Sequence, residues 1–261
     1  MSRLAATFAS CSRQHRSALI TYLMAGDPSP EDTLAAMHAL VAGGADILEL
    51  GMPFSDPSAD GPSIEQAHYR ALAAGMTLQG VFAIVRRFRE RDDHTPIVLM
   101  GYLNPIEQKG PLWFAQAAAA AGVDGVLVVD LPPEESGGLR DALANHGLAQ
   151  IFLVAPTTPP SRLGMILRGA SGFVYYISLK GTTGADRLDT AAVVEAVERL
   201  RASTDLPIAV GFGVRTPQQA AELASSAAGV VVGSAVVELI AKQEINRLAA
   251  LAAGLRAALI R

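Results

Sequence analysis

One glutamate stands inside a segment that otherwise has every mark of a buried strand. Glu49 lies in DILELG, residues 46–51, between Leu48 and Leu50. Eight such apolar segments occur in the chain, and none contains a Lys or Arg. Their other acids sit at segment ends, Asp46 and Asp124 at the start and Asp130 at the finish. A carboxyl group taken out of water with no strand-borne cation has its pKa raised, from about 4.3 toward 6–7, where one group can both give and take a proton. The competing arrangement is an ion pair with a loop cation such as Lys180. Strand alternation places Glu49 on the side of Ile47 and opposite the two leucines, so leucines packed outward on helices would aim Glu49 inward.

The loop that follows, PFSDPSADGP (53–62), adds Asp56 and Asp60. Its prolines and small residues restrict the backbone and suit it to hold a carboxylate in place. The same residues also suit turns in which aspartates only cap N–H groups. Asp56 fits either role, and Asp60, nearer the next helix, is the stronger functional candidate. A third group is glycine-rich: GFG (211–213), GSA (233–235) and KGTTGA (180–185). Glycines admit an anion close to the backbone, and Gly233-Ser234 at a helix start supplies N–H groups, a hydroxyl and a favourable dipole. Tyr22, Tyr102 and Tyr175 fall near strand exits and are suited to line a pocket. The five histidines form no HxH or HxxxH pair, so no metal site is expected. There is no GxSxG or Cys–His arrangement for nucleophilic hydrolysis.

These groups need a scaffold that gathers strand ends. The eight segments are 18–24, 46–51, 96–102, 124–130, 150–155, 173–178, 207–212 and 229–234. Their near-continuous hydrophobicity suits parallel strands buried on both faces. Helix signals separate them: Ser29-Pro30-Glu31-Asp32, Thr216-Pro217-Gln218-Gln219 and Ser63-Ile64-Glu65-Gln66 each read as capped starts. Eight strand–helix repeats without a GxGxxG turn predict an α/β fold closed as a (β/α)8 TIM barrel, a single domain over residues 1–261. Residues before the first strand would form an extra helix at the barrel bottom. Chemistry then belongs at the C-terminal strand ends, where loops seven and eight repeatedly bind phosphate. The long loops 52–62 and 179–189 are candidate lids.

Composition narrows the partners. Half of the 261 residues are apolar and the net charge is only −4, with no basic stripe to suit nucleic acid. RRFRER (86–91) reads as a solvated helix face. A single cysteine, Cys11, gives no disulfide framework and suits a cytoplasmic setting. The first residues read as mature protein, and no apolar run approaches the ~20 residues of a membrane span. The residues thus point to a barrel that binds a small phosphorylated molecule and works on it with Glu49 and Asp60.

LELGMPFSDPSADGP closely resembles the signature of the tryptophan synthase alpha chain family. The resemblance continues through LITYLMAGDPS, PIVLMGYLNPI, GVLVVDLPPEE, FVYYIS with KGTTGA, VGFGV and VVGSAVV, and so spans most of the chain in order. It implies cleavage of indole-3-glycerol phosphate to indole and glyceraldehyde 3-phosphate, without metal or cofactor. Glu49 would then be the acid–base group, Asp60 would accept the indole N–H, and Tyr175 would help orient Glu49 and the glycerol hydroxyls. Tyr22 and Tyr102 would line the indole pocket. Thr183, Gly184, Phe212, Gly213, Gly233 and Ser234 would surround the phosphate and chain. Asp56 would lie on a loop touching a pyridoxal-phosphate beta chain in an α2β2 heterotetramer, into which indole passes. The sequence departs from the family at Tyr22, where Phe is expected, at Thr182, where Val or Ile is expected, and at Thr21, which replaces a proline. A sugar-phosphate isomerase and a non-catalytic partner of the beta chain are the competing readings.

Overall fold

The computed structural model describes residues 1–177, 190–211 and 213–260. The apolar runs become parallel strands: β1 Ala18–Met24, β2 Ile47–Gly51, β3 Ile97–Gly101, β4 Gly125–Val128, β5 Ala149–Val154, β6 Val174–Ile177, β7 Ile208–Gly211 and β8 Gly229–Val232. They pair in chain order, and β8 returns to β1 to close the barrel. Helix α1 (Arg3–Arg13) precedes β1 and α2 (Pro30–Ala42) follows it. Two helices cross from β2 to β3, α3 (Pro62–Ala73) and α4 (Leu78–Arg89), and two more from β3 to β4, α5 (Leu103–Glu107) and α6 (Pro111–Ala121). The later crossovers carry α7 (Gly137–Asn145), α8 (Pro160–Gly169), α9 (Thr190–Arg201) and α10 (Pro217–Ala224). After β8 come α11 (Ser234–Ala241), a 3-10 turn at Ile245–Arg247 and α12 (Leu248–Ala258).

Local chemistry sets the helix starts. Ser29 caps α2 by accepting the Asp32 N–H at 3.1 Å, with Pro30 in the first turn where its missing N–H costs nothing. Thr216 and Gln219 form a reciprocal capping box on α10. The third expected cap is different. Pro62 takes the first position of α3 and Gly61 the cap, without a side-chain bond. Ser63 therefore sits inside the first turn, and its hydroxyl donates to Glu238 of α11 at 3.1 Å.

The strands present two faces. Ile20, Ile47, Val98, Leu127, Ile151 and Ala209 fill the barrel interior, whereas Leu48, Leu50 and Val126 pack outward with the helices. Leu4, Phe8 and Cys11 of α1 join the interior cluster, so this helix plugs the lower end of the barrel. The acids at the N-terminal strand ends serve the scaffold. Arg16 grips Asp46 with two bonds of 2.6 and 2.7 Å, and Asp46 also accepts the Leu19 N–H at 2.8 Å. Asp124 is held by Arg89 at 2.8 Å and by Arg3 at 3.0 Å.

Candidate active site

Glu49 is paired in register with Tyr22 of β1 and Val98 of β3, on the face of Ile47. It is 1% exposed. Neither carboxyl oxygen has a hydrogen-bond partner among the described residues. Burial, with a smaller contribution from the nearby Asp60 carboxylate, pushes its pKa up to about 8. This is above the range expected from the sequence, with desolvation the larger cause and the Asp60 carboxylate the smaller. An uncompensated buried carboxyl is costly, and native structures keep few of them.

Asp60 lies at the end of the loop between β2 and α3, and three elements converge on it. The Tyr102 hydroxyl, just past β3, donates to Oδ2 at 2.7 Å. The same tyrosine oxygen accepts the Ala59 N–H at 3.0 Å. His68 of α3 places Nε2 3.2 Å from Oδ2 and receives the Phe54 N–H on Nδ1 at 2.9 Å. The Phe54 ring stacks on Tyr102 with centroids 5.1 Å apart. Tyr102 thus holds the loop through Ala59, Asp60 and Phe54. Sequence reasoning missed His68. Its available signal was a histidine on the inward stripe of the helix that follows the carboxylate-bearing loop.

Two more tyrosines complete the interior. Tyr22 and Tyr175 are buried, and both phenols are raised well above their ordinary pKa, first by desolvation and then by the charges of Asp60 and Glu49. No bond from Tyr175 to Glu49 forms, since both carboxyl oxygens lack partners among the described residues. A Cβ on Gly51 would collide with the Tyr22 hydroxyl, and one on Gly211 with that of Tyr175. These glycines at strand exits make room for phenols inside the barrel.

Asp56 is exposed, and its carboxylate accepts the Ser55 hydroxyl at 2.5 Å. At the far rim Gly213 has φ +79°, a left-handed conformation open to glycine, with free space where a Cβ would stand. Gly233 caps α11, which begins at Ser234. A Cβ there would lie 3.4 Å from Tyr22, so this helix start opens beside the tyrosine. Thr183, Gly184 and Phe212, with Lys180 and Thr182, lie outside the described residues. Among the described residues no group of three or more His, Cys, Asp or Glu side chains could hold a metal ion.

A family profile described as tryptophan synthase alpha chain matches residues 8–258. The chain belongs to the tryptophan synthase alpha chain family. It is 56% identical to the tryptophan synthase alpha chain of Alkalilimnicola ehrlichii, over 92% of this chain and 88% of that one. The alpha chain of Legionella pneumophila superposes with a TM-score of 0.90 at 42% identity, covering 99% and 97% of the two chains. A tryptophan synthase structure from M. tuberculosis in its aminoacrylate-bound form gives 0.91 at 40%, covering 99% and 100%. The alpha chain is therefore a carbon–carbon lyase of tryptophan biosynthesis that cleaves indole-3-glycerol phosphate, with the beta chain as its partner. No helix among the described residues is long and apolar enough to cross a membrane.

Proposed function

We propose that Glu49 carries both proton transfers of the lyase reaction and that Asp60 stabilises the charge between them. With its pKa near 8, Glu49 is a neutral acid at pH 7, ready to protonate indole C3. The ring becomes an indolenium whose N–H carries positive charge, and Asp60 accepts that N–H. The Glu49 carboxylate then takes the proton of the hydroxyl on the chain carbon bonded to C3. The C–C bond breaks, its electrons restore the indole ring, and the chain carbon becomes the aldehyde of glyceraldehyde 3-phosphate. Glu49 ends as it began, protonated. The observation that carries this reading is the buried carboxyl beside a second carboxylate, with neither oxygen partnered among the described residues.

In the same reading Tyr175 orients the glycerol hydroxyls toward Glu49, and Tyr22 and Tyr102 line the indole pocket. Thr183, Gly184, Phe212, Gly213, Gly233 and Ser234 surround the phosphate and chain. The α11 start at Gly233-Ser234 suits an anion through its N–H groups and dipole. Asp56, exposed on the loop crest, faces the beta chain in a cytoplasmic α2β2 assembly that receives the indole. The experiment is indole release from indole-3-glycerol phosphate by Glu49→Gln and Asp60→Asn. Loss of one general acid–base group is expected to lower kcat by ~10²–10⁴-fold. Loss of the Asp60 charge is expected to lower it by ~10²–10³-fold. Near-normal release from either variant removes that residue from its role.

A further inference from the structure

The carboxylate of Asp60 is oriented from outside its own loop. His68 is 2% exposed on the inward face of α3, and its ring spans the loop from one end to the other. Nδ1 accepts the Phe54 N–H at 2.9 Å near the loop's start, and Nε2 meets Asp60 Oδ2 at 3.2 Å near its finish. The tautomer follows from these partners. A ring nitrogen that accepts an amide hydrogen carries none of its own, so the proton sits on Nε2 and is donated to Asp60.

That oxygen also takes the Tyr102 hydroxyl, so both donors fall on Oδ2. Oδ1 accepts nothing from the described residues. A carboxylate pinned through one oxygen by two donors from different directions has lost its freedom to rotate, and its second oxygen has a fixed aim. The helix that supplies His68 is itself anchored. Arg70, two residues further along α3, forks onto Asp27 with bonds of 2.7 and 2.8 Å, and Asp27 is 1% exposed.

We propose that His68 is a positioning residue for the lyase reaction: its Nε2–H, together with the Tyr102 hydroxyl, turns the Asp60 carboxylate so that Oδ1 is the oxygen presented to the indole N–H. The inference rests on the role given above to Asp60. It extends that role to a residue in another element and assigns the two carboxylate oxygens different tasks.

The test uses steady-state cleavage of indole-3-glycerol phosphate by the full-length chain, with thermal melting to verify that each variant folds. His68→Ala is expected to lower kcat by ~10–100-fold, as loss of alignment does, with KM within about threefold. Two substitutions then separate the two ends of the ring. Gln places an amide N–H near the position of Nε2, so His68→Gln should recover most of the kcat. Asn places a carbonyl near Nδ1 and keeps only the tie to Phe54, so His68→Asn should stay as slow as His68→Ala. In an Asp60→Asn background, His68→Ala should cost little more. Recovery by Asn and not by Gln would make His68 a loop anchor and overturn the proposal. A His68→Ala kcat within twofold of the parent, with Asp60→Asn still slow, would overturn it too. If Asp60→Asn itself is near normal, the role of Asp60 falls, and the inference falls with it.

Discussion

The acids of this barrel differ in what surrounds them rather than in their chemistry. Asp46 and Asp124 meet arginines and backbone N–H groups, and Asp130 accepts the Leu103 N–H at 2.8 Å. Among the described residues Glu49 meets none of these, and burial favours its protonated form. That has a consequence for stability with a definite sign. In the unfolded chain the group titrates near 4.5, and in the folded chain near 8. Below pH 4.5 both states hold the proton. Between the two values the unfolded chain has released it and the folded chain has not, so stability falls as pH rises, by about 1.4 kcal/mol per unit. Above pH 8 the loss is complete, ~5 kcal/mol at most. Glu49→Gln carries no such loss. It should match the parent in urea denaturation at pH 4 and exceed it increasingly up to pH 8. An ion-paired Glu49, as with Lys180, would give the opposite slope, because a depressed pKa makes stability grow with pH through that window. A gap that is constant or reversed from pH 4 to 9 therefore rejects the dry carboxyl. If Glu49 is the acid, as proposed above, kcat/KM should decline as pH passes about 8, where this group loses its proton.

At the scale of the strand, site geometry depends on what is left out at the exits. Gly51 ends β2 beside the Tyr22 hydroxyl, with the Met24 methyl 2.9 Å from where its Cβ would be. Gly51→Ala should force Tyr22 out of place and cost ~1–3 kcal/mol, as added volume in a full core does. It should also lower kcat/KM, because Tyr22 shares its row with Glu49. Adding Tyr22→Phe removes the hydroxyl from the collision and should restore part of the melting temperature. No restoration would mean that the ring carbon of Tyr22 or the Met24 methyl, not the hydroxyl, takes up the strain. The strands themselves were legible in the sequence because continuous apolar runs between turn signals admit few alternatives. Glu49 was legible because an acid in such a run demands an explanation. The Asp60 network was not. Tyr102 and His68 reach Asp60 across a loop whose path no periodicity fixes. Ser63 was misread as a cap because Pro62, one residue earlier, suits the first helical position better.

The whole molecule divides its labour along the barrel axis. The C-terminal strand ends carry Glu49, Asp60 and the rim glycines, whereas the opposite end carries the arginine–aspartate pairs and the α1 plug. In barrels the first end serves chemistry and the second stability. Here one interior cluster joins the two, since Phe8 and Tyr175 belong to it together. The Phe8 ring meets Phe173 at 5.7 Å, and Phe173 directly precedes the strand that holds Tyr175. The separation can therefore fail, and Phe8→Ala asks whether it does. Removing a buried ring should cost ~3–5 kcal/mol. If the packing relaxes locally around α1, indole release at 15 °C, where the variant is still folded by circular dichroism, should keep its parental kcat within twofold. If kcat falls while the fold persists, strain has passed through Phe173 into β6 and moved Tyr175. The plug would then set the shape of the pocket as well as holding the barrel together.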